Sequence, residues 1–219
     1  MKRLSTALIV ITILVVAWYS PKRDSARWEG VEDTRLFSEV GDDFGPYTSL
    51  ESCEWIESRG NDGDSFRVRH GGEVTEFRLY YVDAPESKYK EYANGETNGK
   101  RLDDQGRYFG GLSREQTCAL GQSAKGFVRE LLSEGSFRVV TRWENVYGPQ
   151  RKYAFVVVEY EGGSYYLHEI LVAKGLARIH TKPSVMPDGS STGEQLERLS
   201  EMEGRAQESG RGGWGVISH

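Results

Sequence analysis

Positive charge is not in excess in this chain. Over 219 residues, 28 Lys and Arg stand against 33 Asp and Glu, a formal net charge of −5. No global field gathers a polyanion, which weighs against a dedicated non-specific nucleic-acid binder; such binding has to come from a local cationic site or a bound cation. Cysteine is scarce, with Cys53 and Cys118 the whole supply. In an exported chain these two can close a long loop, or both can stay as buried thiols, and sequence does not measure the distance between them. Hydrophobic residues reach only 37%, low for a globular protein, although five Trp, twelve Tyr and eight Phe can build a small aromatic-rich core. The four histidines (His70, His168, His180 and His219) lack metal-ligand spacing and read as surface or packing residues. Internal repeats are absent.

One dense apolar run exists, Ala7 to Trp18, behind the basic Met1-Lys2-Arg3. It suits the core of a signal peptide and is short for a bilayer span. Val15-Val16-Ala17 offers a cleavage site after Ala17; the alternative is an uncleaved membrane tether through residues 4–20, with Trp18 and Tyr19 at the interface. Both readings imply export, to a secreted or cell-envelope location. Residues 21–51 are polar, mixed in charge and aperiodic, and read as a linker, so the folded body is expected from residue 52.

Within the body, Cys53, Trp55 and Ile56 suggest a first strand or turn. Phe66 to His70 and Val74 to Val82 alternate around Gly71-Gly72, a hairpin pattern. A polar stretch at 87–112 is long for a connecting loop. Ser113-Arg114-Glu115-Gln116 has capping-box form, and Leu120, Ala124, Phe127, Val128, Leu131 and Leu132 then share a helical face up to Gly135. Phe137 to Trp143 and Tyr153 to Tyr160 are strands, and Gly162-Gly163 turns into another segment at Ser164 to Leu167. A short helix is expected from about His168 to Lys174. A capping box at Thr192 to Gln195 is expected to open a last helix with Leu196, Leu199, Met202 and Ala206 inward. Trp214 is expected to fold back on the body.

The chemistry-bearing residues sit at the open ends of the hairpin: Asp62 and Asp64 before its first strand, Asp83 and Glu86 after its second. Pairing the strands brings these carboxylates together, and their mutual repulsion calls for a cation; oxygen ligands suit a hard ion such as Ca²⁺. Arg78, inside the second strand, can hold a phosphate in bidentate fashion. Metal, phosphate clamp and spare carboxylate point to phosphodiester hydrolysis. Singly, each residue has a plainer reading: D-G is ordinary turn sequence, Arg78 suits a strand-face ion pair, Glu86 a solvated loop, and Arg151 and Lys152 an exposed turn.

Jointly, Asp62-Gly63-Asp64-Ser65 and Arg78-Leu79-Tyr80-Tyr81-Val82-Asp83-Ala84-Pro85-Glu86 resemble the active-site hairpin of the staphylococcal nuclease (thermonuclease) family. The resemblance runs from about Asn61 to Trp214 and implies an α+β, strand-rich fold over 52–217. That fold is a five-stranded OB-fold barrel with a helix between strands 3 and 4 and a C-terminal helix. It further implies Ca²⁺ on Asp64, Asp83 and the carbonyl of Ala84, with Asp62 beside them. Glu86 would orient or deprotonate the attacking water, and Arg78 and Arg151 would clamp the phosphate. Tyr147 would contact substrate, with Lys152 neighbouring Arg151. The implied substrate is DNA or RNA, and a monomer is expected; the rival is a non-catalytic OB-fold module that binds nucleic acid or a protein. The chain departs from the family pattern in several places. Ala84 and Ser65 stand where Thr is usual, and two residues are added in Tyr147-Gly148-Pro149-Gln150-Arg151. The base-pocket tyrosines are missing after Gly175-Leu176-Ala177-Arg178, where His180 is the candidate substitute.

Overall fold

The two glycines at residues 71 and 72 both take positive φ (52° and 87°), the backbone that a tight hairpin turn requires. The turn joins β3 (Ser65–His70) to β4 (Glu73–Leu79), paired antiparallel from Ser65↔Arg78 to His70↔Glu73. Alternation does the expected work: Phe66 and Val68 point into the core while Arg67 and Arg69 face water. The structure, a computed structural model, describes residues 34–38, 40–148 and 150–216, all within the unit Val31–His219. The expected leader or tether at 1–20, and the start of the expected linker, lie outside the described residues. No helix among the described residues is long and apolar enough to cross a membrane.

Around the hairpin the chain builds a mixed α+β, strand-rich fold of the OB type. β2 (Glu54–Ile56) flanks β3, and β7 (Arg151–Tyr160) lies parallel to β4 on its other side. β6 (Phe137–Asn145) follows β7, and the short β1 (Thr48–Leu50) and β8 (Gly163–Tyr166) extend the sheet on β6 and β7. A second small ladder pairs β5 (Val82–Asp83) with β9 (Arg178–Ile179), setting Asp83 opposite Arg178. Helices α1 (Gly99–Tyr108), α2 (Arg114–Glu134), α3 (Leu167–Ala173) and α4 (Thr192–Glu208) pack about this sheet. α2 opens on the Ser113/Gln116 capping box and buries Leu120, Ala124, Phe127, Val128 and Leu132. Trp214 packs back against Phe109, the rings tilted by 52° with centroids 4.9 Å apart.

Three expectations change. The polar stretch at 87–112 is not all loop, because α1 occupies its second half. The linker ends earlier than residue 51: Phe37, Phe44 and Tyr47 are buried, Ser38 donates from its backbone N–H to Glu169 at 2.9 Å, and β1 joins the sheet. These anchors are spaced irregularly, so they leave no period in the sequence. The last helix is capped one residue earlier, by Ser191 with Glu194. Its buried face carries Gln195 while Leu196 turns outward, 37% exposed. Of the two readings open for Cys53 and Cys118, the structure has the free thiols, both partly exposed.

The outward Leu196 is explained by what Gln195 does. Glu169, fully buried, accepts from Gln195 at 2.8 Å as well as from Ser38, so a polar network rather than a leucine occupies that part of the α3–α4 contact. His168 lies beside it, stacked on Tyr81 with centroids 5.6 Å apart. Complete burial, reinforced by Arg198, pushes its pKa down from 6.5 to about 3. A depressed imidazole stabilises the fold fully above about pH 6.5 and loses that contribution as pH falls toward 3. Urea melts of wild type and His168→Gln from pH 7 to pH 4 are therefore expected to differ by a slope of about 1.4 kcal/mol per pH unit below pH 6, steeper in the wild type. Parallel slopes would contradict a buried neutral imidazole.

Candidate active site

Between β4 and β5 the chain reverses at Tyr81, held at φ 66°, a conformation that costs a non-glycine residue about 1–2 kcal/mol. The segment around β9 holds it there: the Tyr81 carbonyl accepts from His180 N–H at 2.8 Å, and its own N–H donates to the Lys182 carbonyl at 3.1 Å. The reversal delivers Asp83 beside Asp64. α2 supports the following turn closely, since a Cβ on Gly121 would lie 2.4 Å from the Pro85 carbonyl and one on Gly63 2.8 Å from the Ala84 methyl. Glycine at both positions lets helix, D-G-D loop and D-A-P-E turn touch backbone to backbone.

Asp83 is fully buried and accepts four donors. Arg78 (2.8 Å) and Arg101 (2.5 Å) reach Oδ1, while Arg178 (2.9 Å) and Gln105 (3.0 Å) reach Oδ2. Burial pushes this carboxyl upward, but Arg101, Gln105, Arg178 and Arg78 outweigh it and hold the pKa below the ordinary Asp value. Asp64 accepts from Ser65 (2.9 Å), from the Ala84 N–H (2.9 Å) and from Arg78 Nη1 (3.4 Å), and pairs with Arg78 Nη2 at 3.2 Å. Burial, aided by the charge on Asp83, raises its pKa against the pull of Arg78. Burial and then Asp64 and Glu86 push Asp62 up to about 7, so Asp62 senses the same cluster. Glu86 accepts from Lys90 (2.7 Å) and Asn98 (3.4 Å) and forms an ion pair with Arg101, whose Nε lies 3.1 Å away. Gln105 ties the turn together, donating to the Ala84 carbonyl at 3.1 Å and accepting the Glu86 N–H at 3.0 Å.

Asp64, Arg78, Asp83, Ala84 and Glu86 therefore meet in one place, with Asp62 at its edge. Arg151, Lys152 and Tyr147 do not join them. Arg151 pairs with Glu76 at 2.5 Å, and Lys152 is tied to Asn145. Arg151 shares a face of β7 with Tyr153, the register partner of Arg78, so it stands about 7 Å further along the same surface. Together with fully exposed Tyr147, Glu76 and Gln150 it lines an open pocket of about 350 Å³. His180 is exposed at the end of β9; partial burial and the nearby Arg178 lower its pKa. Four residues that sequence reasoning missed carry much of the cluster: Arg101, Gln105, Arg178 and Lys90. Arg101 and Gln105 are spaced i, i+4 on α1, but that signal becomes readable only once the 87–112 stretch is known to be helical.

A family model described as staphylococcal nuclease homologue matches residues 76–215, which include Arg78, Asp83, Ala84, Glu86, Arg101, Gln105 and Arg178. The chain belongs to the staphylococcal nuclease homologue family. No curated protein matches it. The matched region begins after Asp62-Gly63-Asp64, so Asp64 joins the site on geometry alone.

The calcium that the family resemblance implies is tested by the state of its ligands. Both oxygens of Asp83 are saturated, since a carboxylate offers about four lone-pair positions and four donors fill them. Asp64 and the Ala84 carbonyl are likewise engaged, by Arg78, Ser65, the Ala84 N–H and Gln105. No group of three or more His, Cys, Asp or Glu among the described residues could hold an ion. In this arrangement the donor set does not fit Ca²⁺; the site carries positive charge in the chain's own Arg78, Arg101 and Arg178. Removing Arg178, which is 8% exposed, leaves the buried Asp83 short of a partner. Arg178→Met is expected to lower unfolding stability by about 3 kcal/mol. Arg151→Met, losing the part-exposed pair with Glu76, is expected to cost less than about 1 kcal/mol. Urea titrations read both, and equal losses would contradict the placement of Arg178.

Proposed function

We propose that this chain is a nuclease that hydrolyses phosphodiester bonds of DNA or RNA with little sequence preference. One observation carries the reading: Glu86 differs from Asp83 in having room left. Glu86 accepts from Lys90 and Asn98 on Oε2 and pairs with Arg101 through Oε1, which leaves lone-pair capacity for a substrate water, whereas Asp83 has none left. Glu86 then orients that water and takes its proton as oxygen attacks phosphorus. The bond from phosphorus to the leaving oxygen breaks, that oxygen acquires a proton, and a phosphomonoester and a free hydroxyl result.

Arg101, 42% exposed, and Arg78, 13% exposed, present the guanidiniums that receive the phosphate and stabilise the charge growing on its equatorial oxygens. Arg151 contributes a second clamp along the same sheet surface, with Tyr147 and Lys152 contacting the neighbouring stretch of substrate. Contacts directed at the phosphate carry no base identity, which supports low sequence preference. Calcium enters as the ion the resemblance implies, but its ligands are filled as arranged, and the steps above follow from the chain's own cations. Export belongs to the proposal on the strength of Met1-Lys2-Arg3 and the apolar run behind it.

The test is cleavage of single-stranded and duplex oligonucleotides by the chain, with Ca²⁺ and with chelator, beside Arg78→Ala and Glu86→Ser. Each substitution is expected to lower kcat/KM by about 100-fold or more. A folded wild type that cuts under none of these conditions would sink the nuclease and leave a non-catalytic OB-fold binding module.

A further inference from the structure

Arg101 is the one guanidinium of the cluster that comes from the segment after Glu86 rather than from the hairpin or β9. It touches both carboxylates that matter to the chemistry: Nη2 lies 2.5 Å from Asp83 Oδ1 and Nε lies 3.1 Å from Glu86 Oε1. Its helix is fixed. A Cβ on Gly106 of α1 would lie 2.4 Å from the Leu112 carbonyl, and Arg114 grips Asp103 through two bonds of 2.6 and 2.7 Å. The side chain, by contrast, is 42% exposed, while Arg78 and Arg178 are 13% and 8% exposed. Arg101 alone can leave Asp83 for solvent without opening the core.

The donor count points the same way. With Arg101 withdrawn, Asp83 Oδ1 keeps only Arg78 and has a position free, while Oδ2 stays held by Arg178 and Gln105. We propose that Arg101 is a resident cation that competes with a divalent metal ion for Asp83. Metal occupies the site only when the Arg101–Asp83 pair opens, and the helix after Glu86 thereby sets the metal requirement of this chain. The inference rests on the site described above, not on its turnover.

The test is Ca²⁺ binding, by calorimetry and by displacement of luminescent Tb³⁺, to the full chain as wild type, Arg101→Gln, and Arg101→Gln with Asp83→Asn. Arg101→Gln is expected to bind Ca²⁺ about tenfold or more tightly than wild type, because a full positive charge in contact with the ligand is gone. Adding Asp83→Asn is expected to abolish the gain. Equal affinity of folded wild type and Arg101→Gln overturns the proposal, as does a gain that survives Asp83→Asn. Arg101→Lys is a second check: its ammonium keeps the charge but cannot span both carboxylates, so its affinity is expected between the other two, and a value tighter than Arg101→Gln also overturns it. Because binding is read directly, a chain that binds as expected yet cuts nothing would refute the nuclease and leave this competition standing.

Discussion

One buried carboxylate organises this molecule. Asp83 has no exposed surface, and it draws in Arg78 from the hairpin, Arg178 from β9, and Arg101 and Gln105 from α1. A bare charge in that position would be prohibitive. Surrounded by three guanidiniums and an amide, it becomes the point at which sheet, small ladder and inserted helix are made to agree. The left-handed Tyr81 and the contact glycines Gly63 and Gly121 are the local cost of bringing the backbone there. Loss of one partner is felt by every other, because they share the same two oxygens.

The parts of the fold that were legible from sequence are those where a local rule and the tertiary outcome coincide. Gly71-Gly72 demanded a turn, Phe66 and Val68 alternated into the core, and the Ser113–Gln116 box started α2 where it does start. The parts that were not legible depend on long-range partners. Phe37, Ser38 and Tyr47 look like linker until Tyr165, Glu169 and Ser184 are in place to receive them. Gln195 looks like a solvent residue and Leu196 like core, and only the buried Glu169 reverses them. Local patterns carry no record of such pairings.

The site divides along the same line. Asp64, Arg78, Asp83 and Glu86 were visible because two short motifs bound them to one hairpin, and the structure gathers them. Arg101, Gln105 and Arg178 were invisible because an arginine in a polar stretch, or after G-L-A, has no special spacing; their meaning comes from where α1 and β9 end up. Arg151 shows the converse. Its position after the turn suggested the cluster, whereas the parallel register of β4 and β7 hands it to Glu76. The result is a site whose carboxylates come from the two hairpin motifs and whose further cations come from α1 and β9.

The most direct test of this architecture is cleavage of a fluorescent oligonucleotide by the chain carrying Asp83→Asn, with near-ultraviolet circular dichroism confirming the fold. The amide keeps the shape and removes the charge that gathers the arginines. A folded variant with cleavage reduced by about 100-fold or more is the expected result. A folded variant that cuts at the wild-type rate would contradict the central place given to Asp83.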